Sequence, residues 1–291
     1  MSYKMFTAMV TPYNVDLQVN LDKAGELAQY LIERGSDGIV VSGTTGESPV
    51  LSKSEKLQLF SQVKAVVGDK AEVWAGTGSY NTQETIELSQ EAEKLGMDGL
   101  LLVVPYYNKP SQEGLYQHYK TVAASVSIPI MLYNIPSRTG VNMLPETVAR
   151  LAELENVVAL KESTGLMDQM SALKNILPDK MAIYSGDDSQ TLPMLSLGAQ
   201  GVVSIASHLV GPQIKQMMNA FASGDVKGAQ LLHNQLFAMF KGLFITTNPI
   251  PVKQALNLIG MEVGGVRLPM CSASEGEINQ LKQLLASYQL L

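Results

Sequence analysis

The sequence predicts an α/β protein: a (β/α)₈ TIM barrel over residues 1–220 with a C-terminal helical extension over residues 221–291. Three observations carry this expectation. Eight short β-rich runs recur through the first two thirds of the chain, and most are separated by stretches with helical spacing. Three junctions, "RGSDGIVV", "LGMDGLLL" and "LGAQGVVS", also share one pattern: a glycine, two residues, a second glycine, then an apolar run. Alternating strands and helices imply βαβ units and a parallel sheet. Eight such units match the roughly 250 residues typical of a closed barrel.

In chain order, the expected strands begin with Met5–Val10 and Gly38–Val41, with a helical pattern over Leu21–Arg34 between them. The pattern Ser54–Val67 leads to Glu72–Ala75, and Thr82–Leu95 leads to Gly99–Val104. The remaining strands are Pro129–Tyr133, Val157–Leu160, Met181–Tyr184 and Gly201–Ile205. In the shared junctions the first glycine suits a left-handed helix C-cap, and the second lets the new strand start close to its neighbour. An open doubly wound sheet competes with the barrel. It usually carries a Gly-rich nucleotide loop after its first strand, and "VTPYNVD" at 10–16 has none. Beyond about Pro212 the pattern is helical: Ile214–Ala222, Lys227–Lys241, Pro251–Leu258 and Ser274–Tyr288. No Pro/Gly/Ser-rich linker sets this part off as a separate domain.

Composition narrows the function. A net charge of −6 without long runs of one sign argues against a nucleic-acid surface, which needs a basic stripe. One cysteine, Cys271, permits no internal disulfide. The first residues, "MSYKMFTAMVTPYN", are too short in apolar length for a signal peptide, and no segment approaches the roughly 18 apolar residues of a membrane span. The expected location is the cytoplasm. His118, His208 and His233 lie far apart with a single cysteine, so no metal and no cofactor is expected.

Reactive side chains cluster at strand ends. Thr44 and Thr45 follow the second strand in "VSGTTGES", and Tyr106 and Tyr107 follow the fourth in "VVPYYNKP". Tyr133 closes the fifth, with Arg138 beyond it in "LYNIPSRTG". Lys161 closes the sixth in "NVVALKEST", Gly186 and Asp187 follow the seventh, and Ser204 lies late in the eighth. All fall on the carboxyl face, where barrel enzymes build their sites. Asp187 and Asp188 fit helix caps better than metal ligands.

Lys161 is the informative residue. A lysine at the inner end of an apolar strand is desolvated, which disfavours its ammonium form. The neutral amine attacks a carbonyl carbon to give a carbinolamine and then a Schiff base, whose protonated form is an electron sink. The bland alternatives are a lysine that snorkels to water or one that pairs with Glu162. Tyr133 can shuttle protons. Thr44 can pass them on or simply cap a turn, the amides of "GTTGE" can hold a carboxylate, and the Arg138 fork suits a second one.

These residues resemble the dihydrodipicolinate synthase / N-acetylneuraminate lyase superfamily of class I pyruvate-dependent aldolases, over essentially the whole chain, and within it the dihydrodipicolinate synthase branch. The motifs that carry the resemblance are "GTTGE" at 43–47, "YYNKP" at 106–110, "YNIPSRTG" at 133–140, "LKES" at 160–163 and "NPIPVKQAL" at 248–256. The resemblance implies a Schiff base between Lys161 and pyruvate. It implies a proton relay of Tyr133, Thr44 and Tyr107, the last contributed by a neighbouring subunit. Thr45, Gly186 and the backbone near Val203 would line the substrate site, and Arg138 would hold the carboxylate of L-aspartate-4-semialdehyde. The reaction implied is condensation to 4-hydroxy-tetrahydrodipicolinate in lysine and diaminopimelate biosynthesis, by a homo-oligomer of tight dimers paired into a tetramer.

The same resemblance maps an allosteric pocket to Ser48, Pro49, Lys53, Lys56, Tyr80, Glu84 and Tyr106. Lysines stand at 53 and 56 where lysine-inhibited members often have histidine, and Tyr80 stands where a small amide is usual. Like charge in a confined site costs several kcal/mol, so feedback inhibition by lysine is expected to be weak or absent. Inhibition of the purified protein by millimolar L-lysine would overturn this. Two other readings stay open: another aldolase of the superfamily (acting on a 2-keto-3-deoxy sugar acid, 4-hydroxy-2-oxoglutarate or N-acetylneuraminate), or a non-catalytic keto-acid sensor.

Overall fold

The computed structural model describes residues 3–291. Its eight strands are β1 (Lys4–Ala8), β2 (Gly38–Val41), β3 (Glu72–Gly76), β4 (Gly99–Val103), β5 (Ile130–Asn134), β6 (Val157–Glu162), β7 (Ala182–Ser185) and β8 (Gly201–Ser204). All pair in parallel with their chain neighbours, and β8 closes on β1 with Lys4 opposite Gly201. The closed barrel expected from the alternation is therefore present, and no open sheet forms among the described residues. Helices α1 (Leu21–Glu33), α2 (Lys53–Val67), α3 (Thr82–Lys94), α4 (Gln112–Ala123), the single turn α5 (Pro136–Thr139), α6 (Pro145–Leu151), α7 (Met167–Ile176) and α8 (Thr191–Ser196) connect the strands. After β8 come α9 (Ser207–Ala222), α10 (Val226–Gly242), α11 (Ile250–Leu258) and α12 (Glu275–Ser287). None is long and apolar enough to cross a membrane.

Local chemistry starts the helices. Asn20, Ser52, Asn81 and Ser111 each accept a bond from a first-turn amide, and Ser52 with Glu55 forms a full capping box. The shared junctions behave as their glycines require. Gly35, Gly96 and Gly198 have φ of 96°, 74° and 97°, the left-handed region. The second glycine clears space for barrel-floor aromatics. A Cβ on Gly38 would lie 2.5 Å from the Phe6 ring, and one on Gly99 would lie 2.6 Å from Trp74.

Strand alternation then divides the core into two layers. Phe6, Trp74, Leu101, Met131, Ala159, Tyr184 and Val203 fill the barrel interior, where Phe6 meets Trp74 and Tyr184 edge-on at centroid distances of 5.9 and 5.3 Å. Their partners one residue along, such as Leu100, Leu102, Leu132, Leu160 and Val202, face the helices. Each fully buried side chain of this size contributes about 1.5–3 kcal/mol. The packed floor leaves only the carboxyl end open for chemistry.

Two expectations are corrected. The last barrel helix begins at Ser207, seven residues before the expected Ile214, because the backbone kinks at Val210 (φ −125°) ahead of Pro212 rather than stopping there. The sixth strand runs through Lys161 to Glu162, so the lysine sits inside the ladder and not at its edge. One unassigned histidine finds a structural place. His208 accepts from Val10 N (3.2 Å) at Nε2 and faces the Ile205 carbonyl (2.8 Å) with Nδ1. Burial lowers its pKa to about 4, so it links the ends of β1 and β8 as a neutral ring.

Candidate active site

The ladder sets Tyr133 of β5, Lys161 of β6 and Tyr184 of β7 in register, all three pointing inward. Tyr184 belongs to the floor: its phenol is pushed up to about 12 by burial, then by Glu72 and Asp37, which lie near the strand starts. Tyr133 and Lys161 form the upper layer. Lys161 is 5% exposed, and its Nζ lies 4.2 Å from the centroid of the Tyr133 ring. Among the described residues no carboxylate comes within ion-pair distance of that Nζ.

Glu162, the obvious candidate for an ion pair, points the other way. Its carboxylate accepts from Thr164 N (2.6 Å), Asn134 Nδ2 (3.1 Å) and Gln169 Nε2 (3.4 Å). Burial raises its pKa, opposed by those hydrogen bonds. Asn134 also binds Asn142 (2.8 Å) and Met143 N (3.0 Å). The outward faces of β5 and β6 are thus tied together directly behind Tyr133 and Lys161. Neither expected bland role fits the lysine: it reaches no water-exposed surface and has no acidic partner.

A cavity of about 200 Å³ opens above this pair, lined by Ser42, Gly43, Thr44, Tyr106, Tyr133 and Arg138 among others. Lys161 does not line it directly but adjoins it through the Tyr133 ring. Gly186 packs on the lysine stem, for a Cβ there would lie 2.9 Å from Lys161 Cε. Thr45 is buried with its hydroxyl turned to Asn248 Nδ2 (3.0 Å), and Val203 lies inside the barrel. Tyr107 stands apart, 89% exposed at a left-handed φ of 72°, and does not reach its own chain's cavity. The two aspartates after β7 divide their work. Asp187 caps a short turn through Ser189 N (2.8 Å), as expected. Asp188 is buried and holds Ser204 Oγ, Ile205 N and Ala206 N, fixing the chain as it leaves β8.

All seven residues mapped to an allosteric pocket line one second cavity of about 390 Å³, which shares Ser48, Pro49, Gly78 and Tyr106 with the first. Tyr80 and Tyr106 stack edge-on at 5.1 Å in its wall. The sequence reading missed Glu87, which lies 3.8 Å from Lys53. Desolvation lowers the pKa of Lys56, and Glu84 opposes the shift. The lining thus carries two lysines and two glutamates, and the cationic excess inferred from the lysines alone is offset in formal charge.

Comparison with known proteins agrees with this geometry. A family model described as the dihydrodipicolinate synthetase family matches residues 1–288. A 4-hydroxy-tetrahydrodipicolinate synthase from Desulforamulus reducens is 58% identical over 289 residues, covering 99% of this chain and 98% of that protein. Its counterpart from Heliobacterium modesticaldum is 57% identical, covering 99% and 96%. The crystal structure of DHDPS from Cyanidioschyzon merolae with lysine bound superposes with a TM-score of 0.98 at 45% identity, covering 99% of each chain. Similarity on this scale, running end to end and through the strands that carry Tyr133 and Lys161, leaves no segment to be explained otherwise, and the chain belongs to the dihydrodipicolinate synthetase family.

Proposed function

We propose that the protein condenses pyruvate with L-aspartate-4-semialdehyde through a Schiff base on Lys161, giving 4-hydroxy-tetrahydrodipicolinate for lysine and diaminopimelate biosynthesis. The observation that carries this is Lys161 itself: a buried amine with no acidic partner, stacked over Tyr133 at the open end of the barrel.

The Lys161 amine attacks the keto carbon of pyruvate, and loss of water leaves the protonated imine. A proton then leaves the methyl carbon, and the enamine attacks the aldehyde carbon to form the new C–C bond. The amino group brought by the semialdehyde displaces Lys161 from the imine carbon, closing the ring and freeing the enzyme. Tyr133 and Thr44 line one cavity, which supports a relay that carries protons to and from the carbinolamine. Tyr107, unable to reach its own site, would complete the relay of a neighbouring protomer in a homo-oligomer of tight dimers. Thr45 and the Val203 backbone would seat the carboxylate of pyruvate. Arg138, at the cavity rim, would take that of the semialdehyde, a planar fork on a planar anion.

Borohydride reduction in the presence of pyruvate tests the reading. It should add one pyruvate-derived mass, located at Lys161 by peptide mapping. No adduct would favour a non-catalytic sensor. An adduct with turnover only on a sugar-acid aldehyde would transfer the chain to another aldolase reaction.

A further inference from the structure

The mechanism leaves one buried ion pair unused. Lys253 on α11 and Glu47 after β2 are almost fully shielded from water, with Lys253 Nζ 2.8 Å from Glu47 Oε1. Nζ also donates to the Thr11 carbonyl (2.8 Å), while Glu47 Oε2 accepts from Arg267 N (3.0 Å). The Tyr13 ring meets both cations, its centroid 4.1 Å from Lys253 Nζ and 4.6 Å from Arg267 Cζ, and Arg267 is itself paired with Glu55. A buried pair of this kind is weak evidence for stability, since apolar residues of matching volume often serve as well. What it supplies is geometry.

That geometry converges on the active-site loop. Glu47 has φ 57° and ψ 33°, a left-handed conformation that a non-glycine residue adopts at a cost of about 1 kcal/mol or more unless held. In this position its amide donates to the Thr44 carbonyl (3.1 Å), and the next amide donates to Gly43 (3.3 Å), folding Gly43–Ser48 into a closed turn. Thr11 Oγ1 secures Gly46 O from below (2.6 Å). A second link from the same C-terminal segment reaches the loop at Asn248. Its side chain donates to Thr45 Oγ1 (3.0 Å), and its carbonyl accepts from Arg138 Nη2 (3.4 Å). The C-terminal extension thus grips the loop at its turn and at Thr45, and touches Arg138 as well.

We propose that Lys253 and Asn248 are positioning residues for the keto-acid carboxylate: Lys253 holds Glu47, and with it the Gly43–Glu47 turn, while Asn248 sets the Thr45 hydroxyl. The inference rests on the reading that this loop receives the carboxylate of pyruvate. Neither residue is assigned a contact with the substrate.

The test is borohydride trapping as a function of pyruvate concentration on the full-length chain, with melting temperature measured in parallel. Lys253→Met with Glu47→Gln removes the pair without stranding a buried charge. It should melt near the wild type yet need about tenfold more pyruvate for half-maximal trapping, while saturating trapping at Lys161 is kept. Asn248→Ala, a single lost hydrogen bond on the intact pair, should move half-saturation the same way and serves should the double variant not fold. Half-saturation within about twofold of wild type in either folded variant, with wild-type trapping normal, overturns this inference alone. No adduct in the wild type overturns the pyruvate reading and this inference with it.

Discussion

Replacing Lys161 by alanine is expected to abolish pyruvate trapping and to lower kcat/KM by roughly three orders of magnitude or more, the scale of losing a covalent nucleophile. The fold should survive the change. Lys161 leaves no stranded carboxylate behind, because Glu162 faces the opposite side of the sheet and is satisfied by Asn134, Gln169 and Thr164. What is lost structurally is the contact of the amine with the Tyr133 ring, worth about 0.5–2 kcal/mol. Lys161→Arg separates the two roles a cation can play here. It supplies a fixed positive charge at this position, but a guanidinium does not lose its proton in proteins and cannot attack a ketone. The arginine variant is therefore expected to be as inactive as alanine. Turnover by Lys161→Arg within tenfold of wild type would show that position 161 acts by charge alone, and the imine mechanism would be lost.

Why Lys161 was visible in the sequence, while its supports were not, follows from the range of the interactions. After a register shift against β5, strand β6 alternates Ala159 inward, Leu160 outward, Lys161 inward and Glu162 outward, and an apolar run that ends on a lysine is legible in consecutive letters. The junction glycines are equally local, which is why Gly35, Gly96 and Gly198 could be placed in left-handed caps before any coordinates. The motifs "GTTGE" and "SRTG" marked rim residues for the same reason. In contrast, Lys253–Glu47 and Asn248–Thr45 join positions more than 200 residues apart, and nothing in either segment alone names its partner. The sequence shows Lys253 only as part of a helical pattern, and it meets Glu47 once α11 is docked against the loops after β1 and β2. Glu87 escaped notice likewise, because its relation to Lys53 depends on how α2 and α3 pack. Pro212 misled in a different way. It marks a kink correctly, but the helix resumes across it.

Gly186→Ala is expected to cost about a hundredfold in kcat/KM while leaving the melting temperature nearly unchanged, since a displacement of about 1 Å at a reacting group has that effect. The residue sits just after β7, where its amide donates to the Glu162 carbonyl (2.8 Å) and locks its backbone beside β6. An added methyl would meet Ser163 Oγ at 1.8 Å, Lys161 Cε at 2.9 Å and Lys161 Cγ at 3.1 Å. The serine can yield, because its buried hydroxyl has no hydrogen-bond partner to lose. The lysine stem cannot move without carrying the amine away from Tyr133, since the ladder fixes its Cα between Tyr133 and Tyr184. Ser163→Ala in the same chain isolates the cause. It removes the first clash and keeps the second, so the Gly186→Ala loss should persist in that background. Recovery of wild-type turnover by Ser163→Ala would assign the effect to the serine instead. The glycine's function would then be to spare the hydroxyl, not to admit the lysine.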